Sequence, residues 1–189
     1  MRQYETDPNF KAYADAFVRA EAVTGFPSIV GLTIGANESG WFDSVTGDFN
    51  CWGITRDPET GPAKFCLTHE DLTPMQLQSF RPDERDTAVL VAPLGNGRFR
   101  YSMSRWFASF ASIDDSVKHY IEFFTQSPQR YKSAWQAYQA DHDATALLKG
   151  ICEAGYATGP AEAVEIQIIG QSNIAHALEM ARASQASVT

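Results

Sequence analysis

Strand-forming sequence is confined to the middle of this chain, and apolar residues at helical spacing lie on both sides of it. Residues 87–91 and 98–101 are rich in strand-forming residues and flank the turn sequence Gly-Asn-Gly at 95–97. Residues 64–68 can add a third strand. This distribution predicts an α+β fold that is mainly helical, with a small β-hairpin lobe beside a helical body.

Most of the expected helices begin at a cap or at a proline in the first turn. The expected starts are Pro8 capped by Asp7, Pro27, Thr73 with Gln76 in a capping box, Ser112, and Pro160. Gly25 and Pro128 are expected ends, and the Thr73 helix should run to about residue 80. Apolar stripes over residues 131–138 and 147–151 predict two more helices.

Length and charge narrow the class of protein. With 189 residues, 44% of them hydrophobic, and no internal repeat or linker, the chain is expected to form one domain over residues 1–189. The net charge of -8 repels polyanions, so nucleic-acid binding is not expected. The sequence contains no apolar run of the roughly 20 residues that span a bilayer. We also find no signal-peptide segment near Met1, so synthesis in the cytoplasm without a signal peptide is expected.

The cysteines and histidines do not suggest a metal site or a cofactor. The three cysteines form no Cys-x-x-Cys pair, and the four histidines lack the spacing of metal ligands. We therefore expect no metal and no cofactor. Cys51 and Cys66 could form a disulfide in an oxidising compartment, with Cys152 left on a helix. Three buried free thiols are the other interpretation.

Residues 36–41, Ala-Asn-Glu-Ser-Gly-Trp, set a carboxylate at the end of an apolar helix beside an aromatic ring. Glu38 is expected in the last helical turn, where the negative end of the helix dipole favours the protonated acid. A hydrophobic contact with Trp41 would raise its pKa further. A carboxyl group with a raised pKa is what general acid catalysis near neutral pH requires.

Further motifs follow in a fixed order along the chain. They are Asn-Cys-Trp-Gly-Ile at 50–54, Thr-His-Glu at 68–70, Phe-Ala-Ser-Phe-Ala-Ser at 107–112, and Gly-Tyr-Ala-Thr-Gly-Pro at 155–160. With the Glu38 motif, this succession resembles glycoside hydrolase family 73, the bacterial N-acetylglucosaminidases that include flagellar-rod peptidoglycan hydrolases and autolysins. The resemblance spans roughly residues 24 to 170 and implies a lysozyme-like fold with the hairpin lobe over an active-site groove.

The resemblance also implies roles for individual residues. Glu38 would be the general acid, and Glu70 would supply the second carboxylate from a strand. Tyr156 would orient the acid, the acetamido group of the substrate or a water molecule. Other carboxylates open for the second role are those of Glu59, Asp48 and Asp71. The substrate's own acetamido group is a further alternative, because it can act as the nucleophile.

Three more residues are candidates for substrate binding. Trp41 and Trp52 offer flat aromatic faces to sugar rings, and Asn50 could bind an acetamido group. Each of the three also has a structural interpretation. The tryptophans could be core residues, and Asn50 could hold the turn that follows it.

The implied substrate is the glycan strand of peptidoglycan, which lies outside the cytoplasm. In its compact size the chain resembles type VI secretion peptidoglycan hydrolase effectors. The resemblance implies action in the periplasm of a target cell and an immunity protein that blocks the groove. Two alternatives stay open. One is a muramidase or lytic transglycosylase on the same polymer. The other is a non-catalytic wall-binding or assembly module, because Ala108 and Gly159 stand where the family has Arg and Asp.

Overall fold

The structure is a computed structural model that describes residues 4–126, 129–156 and 161–187, and only the backbone of residues 161–173. The chain forms two compact units, one of Met1–Val45 with Ala111–Thr189 and one of Thr46–Phe110. The described elements, in chain order, are α1 (Pro8–Thr24), α2 (Ser28–Glu38), β1 (Ala63–Leu72), α3 (Pro74–Gln78), α4 (Pro82–Arg85), β2 (Val89–Gly95), β3 (Arg98–Ala108), α5 (Ile113–Thr125), α6 (Gln129–Asp141), α7 (Ala144–Glu153) and α8 (Ala161–Ala186). The prediction of a mainly helical α+β fold is confirmed.

Local capping chemistry sets the ends of α1. The Asp7 side chain accepts a hydrogen bond from the backbone N–H of Phe10 at 3.0 Å. The helix ends where Gly25 adopts a left-handed φ of 71°, which glycine reaches without steric cost. Both predicted ends of this helix are therefore confirmed. Its buried face, which includes Phe10 and Phe17, turns toward the rest of the helical unit.

The core of the helical unit is aromatic. Tyr120 and Phe124 of α5 lie 4.8 Å apart between ring centroids. Phe26, which joins α1 to α2, contacts both of these rings. Tyr131 of α6 packs against Phe124 at 4.8 Å. These large buried rings fill the space between α1, α5 and α6 and bury the apolar faces predicted from the sequence.

Helix α2 is buried along most of its length and contacts α1, α7 and α8. Gly31 makes the contact with α1 close, because a β-carbon at this position would lie 2.1 Å from the Phe17 ring. Pro27 precedes the helix as its N-cap residue, so our prediction that Pro27 is the first helical residue is wrong by one position. The tight packing fixes α2 within the helical unit and thereby fixes the position of its C-terminal end.

The second unit is built on an antiparallel sheet with strand order β1-β3-β2. Asn96 and Gly97 form the turn between β2 and β3 with φ of 50° and 71°, as a two-residue hairpin turn requires. The predicted hairpin is present as β2 and β3, and the predicted third strand is present as β1. Strand β3 extends seven residues beyond its predicted end at residue 101, to Ala108. Pairing with β1, from Leu72 opposite Phe99 to Ala63 opposite Ala108, supports this longer strand.

Two short helices connect β1 to β2. The capping box predicted at Thr73 and Gln76 is present, and α3 ends at Gln78, earlier than the predicted residue 80. The four-residue α4 was not predicted from the sequence. Its Glu84 accepts a hydrogen bond from the backbone N–H of Trp106 in β3 at 2.9 Å, so tertiary contact stabilises this helix.

Two predicted helix boundaries lie outside the described residues. These are the break at Pro128 and the start at Pro160. Helices α6 and α8 follow those positions at Gln129 and Ala161. In the part of the chain that the structure describes, no helix is both long enough and apolar enough to cross a membrane.

Candidate active site

Glu38 is the last residue of α2. Its side chain is accessible to solvent, but protein atoms crowd the carboxyl group on its remaining sides. This loss of hydration raises the pKa of Glu38 above its ordinary value, because burial disfavours the charged form. The predicted direction of the shift is confirmed, and desolvation is its cause. Glu38 is thus an accessible carboxyl group that holds its proton to higher pH than an exposed glutamate.

Ser39 closes the end of α2 and organises the residues after it. Its buried hydroxyl donates to the Gly35 carbonyl oxygen at 2.6 Å and accepts from the Phe42 N–H at 2.7 Å. The backbone carbonyl oxygen of Ser39 accepts from the Ser44 N–H at 2.9 Å. The role of this serine was not predicted, although it lies within the Glu38 motif. Its hydrogen bonds depend on a turn that the sequence alone does not reveal.

The turn after Ser39 is left-handed over three consecutive residues. Gly40, Trp41 and Phe42 have φ of 59°, 68° and 65°. Glycine adopts this conformation readily, but bulky residues do so at a cost of roughly 1–3 kcal/mol each. Phe42 is buried and stacks on Tyr13 at 4.5 Å. Trp41 is half-buried, and its ring meets the Phe10 ring edge-on at 5.6 Å.

The C-terminal end of α7 lies close to Glu38 within the helical unit. The Cys152 thiol is buried there, and burial followed by the negative charges of Glu38 and Glu153 raises its pKa to about 11. Tyr156 follows four residues later. Its N–H donates to the Ile151 carbonyl oxygen at 3.3 Å, and its half-buried ring lies 5.1 Å from Phe124.

Residues 157–160, which complete the Tyr156 motif, lie outside the described residues. Within the helical unit, the predicted site residues Glu38, Trp41 and Tyr156 are all found at helix ends or in the turns that follow them. Cys152 joins this group through its electrostatic interaction with Glu38. The sequence alone did not indicate that Cys152 lies near Glu38, because α2 and α7 are far apart along the chain.

Glu70 belongs to the sheet unit, where it lies on β1 opposite Tyr101 of β3. Its carboxylate forms a part-buried ion pair with Arg105, with 2.8 Å between Oε1 and Nη1. Arg105 also packs its guanidinium over the Phe80 ring at 4.6 Å. The sequence did not reveal this arginine as a partner of Glu70, because the pairing depends on the register between β1 and β3. Glu70 is held in a defined orientation by this ion pair.

The other carboxylates considered for the second role have different surroundings. Asp71 is paired through both oxygens with Arg100 at 2.8 and 2.9 Å, which lowers its pKa. Asp48 bonds to Lys64 and to the Ser109 hydroxyl, and these contacts also lower its pKa. A carboxylate with a lowered pKa is a weaker base. Glu59 is highly exposed and lies 3.6 Å from Arg81.

Asn50 is fully buried, and its side chain makes three hydrogen bonds to the backbone. Its amide donates to the carbonyl oxygens of Ile54 at 2.8 Å and Ala108 at 3.0 Å, and its Oδ1 accepts from the Ile54 N–H at 3.0 Å. This geometry fits the interpretation that Asn50 holds its turn. Trp52 is also buried, with 4% of its surface exposed. The substrate-binding roles of Asn50 and Trp52 stay predictions.

The cysteines have different environments. Cys51 and Cys152 are buried and Cys66 is half-buried, and all three are thiols in the structure. Of the two interpretations of the Cys51 and Cys66 pair, the structure has the thiol form. Among the described residues, no group of three or more His, Cys, Asp or Glu side chains is arranged to hold a metal ion.

Comparison with solved structures shows which fold this is. A peptidoglycan hydrolase mutant from Sphingomonas sp. A1 superposes with a TM-score of 0.60 at 19% identity, covering 90% of this chain and 96% of the other. The glycoside hydrolase domain of FlgJ from Salmonella typhimurium gives 0.58 at 15% identity, covering 99% and 98%. At these identities the likeness establishes the fold alone. It confirms the predicted lysozyme-like class.

Comparison of sequences identifies the family. A search of curated proteins finds no match. The glucosaminidase family model, described as mannosyl-glycoprotein endo-beta-N-acetylglucosaminidase, matches residues 14–173, which is most of the chain. The chain therefore belongs to the glucosaminidase family, glycoside hydrolase family 73, and is a glycoside hydrolase.

Proposed function

We propose that this protein is a peptidoglycan hydrolase that cleaves β-1,4 bonds of the glycan strand as an endo-N-acetylglucosaminidase, with residues 1–189 acting as one domain. Family membership supports the reaction type. The names of two structurally similar proteins, a peptidoglycan hydrolase and the FlgJ glycoside hydrolase domain, support peptidoglycan as the substrate. The observation that carries the proposal is the position of Glu38 as an accessible carboxyl group at the end of α2, in surroundings that raise its pKa.

Glu38 acts as the general acid in this proposal. Cleavage of a glycosidic bond requires a proton on the leaving oxygen as positive charge develops on the sugar ring. A desolvated carboxyl group holds that proton to higher pH than an exposed glutamate does, and the Glu38 side chain remains accessible to a substrate. The proton passes from Glu38 to the leaving oxygen as the glycosidic bond breaks, a water molecule adds to the anomeric carbon, and the second carboxylate accepts a proton from that water.

Glu70 is the proposed second carboxylate. The ion pair with Arg105 supports this role, because it orients the carboxylate and keeps one oxygen engaged while the other can bind a water molecule. Replacing Glu70 with Gln tests the assignment. A loss of activity of about 100-fold or more supports it. Activity close to wild type would instead favour the substrate's acetamido group as the nucleophile.

Tyr156, Trp41, Asn50 and Trp52 are the proposed substrate-orienting residues. Support is strongest for Tyr156 and Trp41, because both lie in the helical unit with Glu38 and both are partly accessible. The Tyr156 hydroxyl would orient the acid, the acetamido group or a water molecule. Trp41 would offer its ring to a sugar. Asn50 and Trp52 are buried, so any contact they make with substrate involves little of their surface.

We further propose that the protein acts as an antibacterial effector in the periplasm of a target cell and is neutralised by an immunity protein. The resemblance to compact type VI secretion hydrolases supports this role. Expression in a Gram-negative host, with and without an added periplasmic signal, tests the effector role. Lysis by the periplasmic form, with no lysis by its Glu38→Gln variant or by the cytoplasmic form, is expected. Growth of all three strains would contradict the effector role.

Release of soluble fragments from purified sacculi tests the enzymatic proposal. The wild-type protein should release them, and the Glu38→Gln variant should retain no more than about one-hundredth of that rate. A mannosyl glycoprotein substrate should be included, because the family description names that class. Cleavage of the glycoprotein alone would overturn the assignment of peptidoglycan as the substrate. Binding to sacculi without cleavage would favour the non-catalytic module.

A further inference from the structure

The backbone after Glu38 adopts a conformation that its sequence does not favour. Residues 40–42 all have φ between 59° and 68°, and two of them are Trp41 and Phe42. A left-handed backbone brings the β-carbon of an L-residue too close to the following carbonyl oxygen. Such conformations persist only where surrounding contacts hold them, and they cluster at functional sites. The residues whose contacts hold this turn are therefore candidates for a role in the site.

Hydrogen bonds from Ser39 and α2 hold the backbone of the turn. The Trp41 N–H donates to the Ala36 carbonyl oxygen at 2.7 Å. The Phe42 N–H donates to the Ser39 hydroxyl at 2.7 Å, and that hydroxyl donates in turn to the Gly35 carbonyl oxygen at 2.6 Å. Ser39 is only 1% exposed, so water cannot readily replace its hydroxyl. An alanine there would leave the Phe42 N–H without this acceptor.

Packing holds the other end of the turn. Phe42 is 2% exposed, and its ring stacks on Tyr13 at 4.5 Å and on Phe10 at 6.0 Å. The Asn9 side chain reaches the Phe42 carbonyl oxygen at 3.4 Å. With Phe42 anchored in the core, Trp41 is left at the surface, half-buried, with Phe10 at its edge. The turn therefore presents one aromatic side chain to solvent three residues after Glu38.

We propose that Ser39 and Phe42 are positioning residues, which hold residues 40–42 in the left-handed turn and so fix Trp41 for contact with the glycan. This inference rests on the proposed function, because it takes the ligand of Trp41 to be an N-acetylated sugar of the strand. A ring that is fixed before binding loses less side-chain freedom when the sugar binds. Loss of the turn should therefore weaken substrate binding more than it slows the chemical step.

The first test measures the turn without any substrate. The ¹⁵N order parameter of the Trp41 indole should be about 0.85 in the wild-type protein and below about 0.6 in the Ser39→Ala variant. Ser28→Ala is the matched control, because Ser28 is a buried serine at the opposite end of α2 whose hydroxyl bonds to Glu21 at 2.8 Å. The control should keep the wild-type value. An unchanged order parameter in Ser39→Ala would overturn the proposal.

The second test is a double-mutant cycle on cleavage of soluble glycan fragments. Ser39→Ala should raise KM by about tenfold and change kcat by no more than about twofold. Trp41→Ala should raise KM at least as much, and adding Ser39→Ala to it should have no further effect on KM. If Ser39→Ala raised KM by the same factor in the Trp41→Ala background as in the wild-type protein, Ser39 would not act through Trp41.

The Phe42→Leu variant tests the turn independently of Ser39, and the order parameter of Trp41 tests it independently of activity. If Ser39→Ala does not fold, Phe42→Leu tests the same turn, because it keeps an apolar side chain and loses the ring stacked on Tyr13. It should reproduce the lower order parameter and the higher KM, and wild-type values would overturn the proposal. If the wild-type protein cleaves no glycan, the proposed function fails, whereas the order parameter still decides whether Ser39 and Phe42 hold Trp41.

Discussion

The buried thiol of Cys152 interacts electrostatically with the Glu38 carboxyl group. Burial and then the negative charge of Glu38 raise the pKa of Cys152 to about 11. Glu38 is the last residue of α2 and Cys152 is the second-last residue of α7, and these two helices are in contact. Both acids are therefore disfavoured in their charged forms at the same place in the helical unit.

Activity should depend on the protonated form of Glu38. Because desolvation raises its pKa, the protonated fraction persists to higher pH than for an exposed glutamate. We expect kcat/KM to fall as pH rises through this raised pKa. The pH profile of glycan cleavage measures this fall in kcat/KM. A rate that stays constant up to pH 9 would rule out Glu38 as the proton donor.

Stability should depend on the same proton. A carboxyl group whose pKa is raised on folding stabilises the protein fully below its ordinary pKa, and this stability is lost as pH rises through the raised value. Glu38→Gln cannot ionise, so it should have a higher Tm than the wild-type protein at pH 7. The difference should vanish below about pH 4. Thermal unfolding of both proteins at pH 7 and below pH 4 measures this difference in Tm. Equal Tm values for Glu38→Gln and the wild-type protein at pH 7 would contradict the desolvation of Glu38.

Removal of the Asn50 side chain should destabilise the protein. Asn50→Ala removes three hydrogen bonds to the backbone of Ile54 and Ala108, and we expect a loss of about 3 kcal/mol in the free energy of unfolding. Asn50→Asp should destabilise the protein at least as much as Asn50→Ala, because its carboxylate cannot donate to the Ile54 and Ala108 carbonyl oxygens and would bury an unpaired charge beside them. Denaturant unfolding measures this. Unchanged stability with a raised KM would instead support binding of an acetamido group by Asn50.

Enlargement of Gly31 should disrupt the packing of α1 against α2. An alanine β-carbon would lie 2.1 Å from the Phe17 ring, so we expect Gly31→Ala to cost about 1–3 kcal/mol. Gly61→Ala serves as the control, because its β-carbon would meet only the flexible Arg56 side chain at 3.4 Å. Chemical unfolding of both variants tests this. Equal stability of Gly31→Ala and the wild-type protein would be inconsistent with the close approach.

The elements that could be predicted from sequence are those with local determinants. Asp7 and Gly25 set the ends of α1 through contacts within a few residues, and the Thr73 capping box sets the start of α3. The extension of β3 to Ala108 was missed because it depends on pairing with β1, which is distant in sequence. Helix α4 was missed for the same reason, since its contact with Trp106 is tertiary.

The site could be predicted only in part. The helix before Glu38 and the upward shift of its pKa followed from an apolar segment with a carboxylate at its end. The left-handed backbone of Trp41 and Phe42 had no local signal, because neither residue favours it. Arg105 and Cys152 were missed as partners of Glu70 and Glu38, because both contacts depend on how distant elements pack.

Identification of the reducing ends released from peptidoglycan tests the central claim most directly. Purified sacculi are digested with the wild-type protein and, in parallel, with Glu38→Gln, and the fragments are reduced with borohydride and identified by mass spectrometry. We predict reduced N-acetylglucosamine ends from the wild-type protein and none from the variant. Reduced or anhydro N-acetylmuramic acid ends, or no fragments from the wild-type protein, would contradict a glucosaminidase that uses Glu38 as its acid.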